Sequence, residues 1–157
     1  MQQTTVTKKI NIWQYQYILT KRLAIWGVGS FATGIPMIFM DPILRGFGWQ
    51  AMLWGAINMG IAVFAALRIS KRRENSLDPA DRGIIENEAT KLKKLLILMI
   101  RCDFGYLALG LLIIFTWGRK DAWWMGTGIG IFVQGLFLLG FDWYHIKEMP
   151  MKSPVSL

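Results

Sequence analysis

Apolar positions in this chain come in long charge-free runs, not in the alternating or one-sided patterns of soluble strands and helices. Leu23–Met40, Gly46–Leu67 and Ala122–Phe141 contain no Asp, Glu, Lys or Arg, and each is 18 to 22 residues long. A run of that length coiled as helix crosses about 30 Å of hydrocarbon. A fourth run, Leu95–Trp117, is interrupted only by Arg101 and Asp103. A soluble fold would strand its LLILMI and YLALGLLIIF halves in water. The pattern predicts four spans, at about 22–40, 47–69, 95–117 and 122–146.

The segments between and around the spans are short. Residues 1–20 form an N-terminal segment, 70–94 a loop and helix between spans 2 and 3, and 148–157 a tail, leaving 21–147 as the transmembrane domain. Ile10, Trp13 and Tyr17 stand at helical spacing beside Lys8 and Lys9, which suits an interfacial helix leading into span 1 or a frayed tail. The N-terminus has no compact apolar stretch followed by a small-residue cleavage site, so span 1 is expected to act as its own insertion signal. In the central segment, Asp78-Pro79 reads as an N-cap with Pro at the first helical position and Asp81 at the third. Acids (Asp81, Glu86, Glu88) then precede bases (Lys91, Lys93, Lys94), which complements the helix dipole. A cytoplasmic helix from about 79 is expected to run without a break into span 3, with Gly83 its weakest position.

Composition agrees with the pattern. The chain is 54% hydrophobic with eight Trp and a mean hydropathy of +0.35, more apolar surface than one soluble core would consume. The net charge of +8 would suggest nucleic acid in a soluble protein, but here it lies at the membrane flanks. Lys8, Lys9, Lys21 and Arg22 precede span 1, and Arg68, Lys71, Arg72, Arg73, Arg82, Lys91, Lys93 and Lys94 lie between spans 2 and 3. The other two connections hold only Arg45, Arg119 and Lys120. The positive-inside rule then places both termini and the central loop in the cytoplasm, with anionic lipid headgroups as natural partners. Trp49, Trp117, Trp123 and Trp124 at one set of span ends, and Trp13, Trp26 and Trp143 with Tyr144 at the other, fit aromatic belts at the two interfaces.

The two halves read as copies of one hairpin. Shifting span 1 by 76 residues superposes Gly29, Gly34, Ile38 and Phe39 on Gly105, Gly110, Ile114 and Phe115. Shifting span 2 by 80 superposes Gly46, Gly48, Gly55 and Gly60 on Gly126, Gly128, Gly135 and Gly140. Both copies enter from the same side, so the repeat is parallel, about an axis along the membrane normal. Lipid supplies no hydrophobic drive between helices, so Gly29, Gly34, Gly55, Gly60, Gly105, Gly110, Gly135 and Gly140 are expected to serve helix packing, within the bundle or against an oligomer or larger complex. The fold class is all-α: four transmembrane helices as two tandem αα-hairpins in a bundle, plus the cytoplasmic helix extending span 3.

Ionisable groups inside a span cost several kcal/mol unless paired or wetted, which makes each a site hypothesis. At about 1.5 Å per residue, Arg101 lies roughly 10 Å in from Lys94, Asp103 roughly 13 Å, Asp142 roughly 8 Å in from Lys147 and Asn58 roughly 15 Å in from Arg68. These residues share a layer in the cytoplasmic half, with His145 just below it. Arg101 and Asp103 point to different sides of one helix, so Arg101 is expected to pair with Asp142, leaving Asp103 to Asn58 or water. The alternatives are a buried ion pair that orients spans 3 and 4, a ligand or proton site, and annular lipid binding. His145, the only histidine, is weighed as an axial ligand for haem or chlorophyll against an interfacial residue hydrogen-bonded near Asp142. Gln134 is expected to be satisfied by a neighbouring helix backbone. The single cysteine, Cys102, excludes an intrachain disulfide and a Cys-cluster metal site. No cofactor and no metal site is expected. The chain carries no Walker loop, Gly-x-Ser-x-Gly or His-Glu-x-x-His motif, so an enzyme has little direct support.

At Trp54-Gly-Ala-Ile-Asn58, Arg101-Cys-Asp-Phe-Gly-Tyr106 and Gln134-Gly-Leu-Phe-Leu-Leu-Gly-Phe-Asp142 the chain resembles a bacterial family of small four-helix membrane proteins of unknown function, over roughly residues 20–146. The resemblance implies four helices and a polar set near Asn58, Asp103, Gln134 and Asp142, and supplies no activity. The four-helix membrane enzymes of glutathione metabolism share only helix count, since their Glu-Arg-x-x-Asn pattern is not found here. Three functions follow as expectations for a bacterial inner-membrane protein: a non-enzymatic scaffold or accessory subunit, a small transporter or binding protein using the polar layer, or a pigment or haem protein using His145.

Overall fold

The computed structural model describes residues 11–149 apart from 77 and 79. Lys8, Lys9, Ile10, Pro79 and the tail from residue 150 lie outside that range. The described chain is all-helical: α1 (Ile12–Met37), α2 (Pro42–Glu74), α3 (Arg82–Phe115) and α4 (Ala122–Glu148).

Each helix starts on an Asn or Asp whose side chain accepts from amides that have no partner within the helix. Asn11 takes the Trp13 amide at 3.3 Å, and Asp41 takes Ile43 and Leu44 at 3.0 and 3.2 Å with Pro42 at the first helical position. Asp121 takes Trp123 and Trp124 at 2.8 and 3.2 Å. For α3 the cap is Asp81, which takes the Ile84 amide at 3.0 Å, so the helix begins at Arg82 and not near 79. Asp78 instead closes a turn by accepting from Ala80 at 2.9 Å. Gly83 therefore falls in the first turn, where its cost is small, and α3 continues unbroken to Phe115.

Three helices, α2, α3 and α4, are long and apolar enough to cross a membrane. α1 is less so. Gln14, Gln16, Lys21 and Arg22 occupy its first half, and the helix ends at Met37 just after Pro36, leaving about 22 Å of charge-free helix. Ile38–Met40, expected to complete the first span, form the turn into α2.

α1 packs along α2, α3 along α4, and α2 joins the two pairs through α4. The contacts are backbone to backbone. A Cβ on Gly34 would lie 2.6 Å from the Gly48 carbonyl oxygen, and one on Gly55 2.7 Å from that of Gly27. In the other pair, a Cβ on Gly110 would lie 2.9 Å from the Gly128 carbonyl oxygen. Between the pairs, Gly126 sits directly on the Ile43 carbonyl and Gly46 on that of Trp123. Gly29, Gly60, Gly105 and Gly140 meet nothing within 4 Å, so half of the glycines expected to pack face outward.

The end that carries the α2–α3 connection and most of the lysines and arginines, here the basic end, is built differently. Ile12, Trp13 and Tyr15 of α1 are buried against Ile69 of α2, Ala89 and Leu96 of α3, and Met149. The start of α1 is thus a buried strut and not a helix lying on an interface. Ile12, Trp13 and Tyr15 find apolar partners where α2 and α3 project together, while Tyr17 remains exposed. Arg72 of α2 donates to Glu88 of α3 at 2.7 Å and Lys91 approaches the same carboxylate at 3.3 Å, closing the rim of this small core.

Candidate functional site

The Trp54 ring of α2 and the Tyr106 ring of α3 meet edge to face, centroids 4.8 Å apart. One turn closer to the basic end, α2 presents Asn58 and α3 presents Asp103, each only 2% exposed. α4 adds Asp142, 7% exposed, whose carboxyl lies within hydrogen-bond reach of that of Asp103. Two carboxyl groups can make such a bond only when one carries a proton, because an ionised carboxylate only accepts. Asp103 Oδ2 and the amide nitrogen of Asn58 have no hydrogen-bond donor or acceptor to pair with among the described residues. An acceptor and a donor, both buried and both unsatisfied, therefore stand in the same layer, a costly arrangement in an apolar interior.

The expected Arg101–Asp142 pair does not form. Arg101 is exposed and points away from the bundle, as its two-residue offset from the buried Asp103 requires. Asp142 turns to Asp103 instead. Of the sequence-predicted polar set, the fold brings Asn58, Asp103 and Asp142 together and leaves Arg101 outside.

His145 belongs to a different neighbourhood. It is 1% exposed. Its Nδ1 lies 2.7 Å from the Phe141 carbonyl, which it reaches as a donor, so Nε2 is left to accept from Arg22 Nη1 at 3.4 Å. Tyr15 donates to the His145 carbonyl at 2.5 Å. Burial, with Glu148 acting in the same sense, pushes the Tyr15 hydroxyl up to about 12, so it stays a donor at physiological pH. Both ring nitrogens of His145 are engaged, and an axial-ligand role would require breaking the Arg22 contact. The neighbour expected for His145, Asp142, is not its partner.

Gln134 lies two turns from Asp142 on α4. It lines a cavity of about 150 Å³ with Trp26, Ser30, Thr33, Phe47 and Ala51, and its amide nitrogen has no partner. A neighbouring helix backbone does not satisfy that nitrogen. Trp26 stacks on Phe137 at 3.5 Å between centroids, and its indole nitrogen is likewise unpartnered.

Sequence reasoning read Arg22 and Trp26 as membrane-flank residues and passed over Tyr15, so all three were missed as members of polar neighbourhoods. The only signal for Arg22 was its position immediately before Leu23, where a cation meets the first apolar turn. Glu88 carried a clearer one, as an acid among bases on a helix that had to pack against the basic end of α2. Among the described residues no group of three or more His, Cys, Asp or Glu side chains is placed to hold a metal.

No curated protein and no solved structure matches the chain. A family of unknown function matches residues 22–143, which includes Asn58, Asp103, Gln134 and Asp142 and stops short of His145. The chain belongs to that family, DUF6992.

Proposed function

We propose that this is a four-span membrane protein whose working part is the buried Asp103–Asp142 pair, a site that takes up and releases a proton inside the bundle. The observation that carries the reading is the contact of two carboxyl groups from different helices in an apolar interior, with the only cation on span 3, Arg101, turned outward. While one carboxyl is protonated, its O–H donates to the other and ties α3 to α4. When that proton leaves, two like charges face each other in a medium that screens them poorly, and the pair either parts or admits a small cation. Proton occupancy is thereby linked to the spacing of α3 and α4, the property a proton-coupled transporter or sensor needs.

Several features support the membrane topology. The Gly27–Gly55 and Gly34–Gly48 contacts hold α1 alongside α2, so α1 crosses with it despite its lower hydropathy. The Gly34–Gly48 and Gly110–Gly128 contacts are equivalent under the 76- and 80-residue shifts, as expected of two tandem hairpins. The basic end is the cytoplasmic one by the positive-inside rule, which puts both termini on the cytoplasmic side of a bacterial plasma membrane.

Asp103→Asn and Asp142→Asn test the reading in reconstituted vesicles. Each keeps a hydrogen bond between α3 and α4 but removes the shared proton. Proton flux or uptake, and the infrared carbonyl band of a protonated carboxyl, should be lost with folding intact. If both variants lose only thermal stability while proton uptake is unchanged, the pair is structural and the reading fails.

A second reading, an accessory subunit or homo-oligomer, draws on Gly29, Gly60, Gly105 and Gly140, whose outward faces are open and would admit a partner helix. A monomer with no co-purifying protein after extraction in mild detergent would remove it.

A further inference from the structure

α1 and α4 both lean on α2, and toward the basic end they leave an open groove between them. Its volume is about 500 Å³ and its floor is aromatic, from Trp26, Phe137 and Phe141. Gly29 forms part of one wall, and a side chain there would meet nothing. At the basic end the character changes. The Arg22 guanidinium is held by His145 Nε2 and lies over the Tyr144 ring, 5.5 Å from its centroid. No described carboxylate lies in ion-pair range of Arg22. The groove thus combines an apolar slot about the width of an acyl chain with one oriented, unneutralised cation at the level where the first apolar run begins.

We infer that this groove is a binding site for one anionic phospholipid, with the phosphate on Arg22 and an acyl chain laid along Trp26, Gly29 and Phe137. The charge argues for the occupant. Arg22 is fixed by neighbours that do not neutralise it, and a phosphate accepts a guanidinium fork better than a zwitterionic headgroup whose own ammonium competes. His145 in the tautomer that accepts from Arg22 cannot also donate to a phosphate, so it serves as a positioning residue. The remaining headgroup contacts fall to Tyr144 and bulk water. The inference rests on the membrane placement proposed above and is independent of the acid pair.

The test is native mass spectrometry of the full chain, released from detergent after incubation with phosphatidylglycerol or phosphatidylcholine, on preparations first shown to stay with membranes through an alkaline wash. Loss in that wash would overturn the membrane placement itself, and with it the site. Given retention, the wild type should hold one phosphatidylglycerol in preference to phosphatidylcholine. Arg22→Gln should weaken that binding about tenfold, the loss of one charge-assisted contact. Gly29→Leu, which fills the slot without touching Arg22 or the helix packing, should weaken it comparably, whereas Gly60→Leu, equally open but outside the groove, should not. Equal retention of the two lipids by the wild type, or unchanged phosphatidylglycerol binding in Gly29→Leu, overturns the proposal. Should Arg22→Gln fail to fold, Gly29→Leu against Gly60→Leu still decides it.

Discussion

The two ends of this bundle are held together by opposite means. In the apolar half the helices touch through backbone, at Gly34 on Gly48, Gly110 on Gly128 and Gly126 on Ile43, while the large side chains of α2 and α3 such as Leu53, Phe64, Leu98 and Leu112 face outward. At the basic end the arrangement is that of a small soluble domain, with Ile12, Trp13, Ile69 and Leu96 inside and Arg72–Glu88 at the rim. The difference follows from the solvent. Where the surroundings are as apolar as the side chains, burying a leucine gains little and close approach at small residues does the holding. Where water surrounds the helices, apolar burial drives assembly again. The acid pair lies between the two regimes, buried among α2, α3 and α4.

The comparison breaks most visibly at Gly126. A methyl there would enter the Ile43 carbonyl, which is backbone and cannot yield, so Gly126→Ala should force α2 and α4 apart and destabilise the bundle by about 3 kcal/mol or more. Gly105→Ala, into open space, should instead stabilise slightly, by up to about 1 kcal/mol from helix propensity. Unfolding in bicelles measures both, and equal effects at the two glycines would refute packing through backbone contact. At the basic end, Ile12→Ala should cost about 2–5 kcal/mol and expose the strut to proteolysis ahead of the rest of the bundle. A loss under about 0.5 kcal/mol would mean that the strut is not docked, since surface changes stay within that range.

Tyr15→Phe gives the smallest effect. It should remove about 1 kcal/mol by deleting one buried hydrogen bond. The hydroxyl is held above its ordinary value of 10.0, at about 12, so its contribution is fully present below pH 10 and is lost as pH rises through 12. The stability gap between wild type and Tyr15→Phe should therefore narrow across that window, and a gap that stays constant would contradict burial as the cause.

Much of this was legible in the chain. The charge-free runs imply helices because lipid leaves backbone amides only a helix or a closed barrel and the runs are about twice the length of a barrel strand. Asn58, Asp103 and Asp142 stood out because polar groups in such runs are expensive. Other features were misread for want of a partner. Asp78-Pro79 and Asp41-Pro42 carry the same capping signature, yet α2 begins at Pro42 whereas α3 begins at Arg82, where Asp81 is the cap. Arg101 looked like the natural partner of Asp142 by charge and depth, but rotation about the α3 axis turns Arg101 outward and Asp103 inward.

Sequence alone determined where the helices lie, which end is basic and which residues would be costly to bury, because these depend on solvent and on distance along one chain. The tertiary structure decided which of those residues meet. Whether Asp142 faces Arg101 or Asp103, whether Gly105 touches a helix or open space, and whether Arg22 finds His145 all depend on helix rotation about its own axis. That rotation is set by backbone contacts at Gly34, Gly110 and Gly126, which the hydropathy of the chain does not encode.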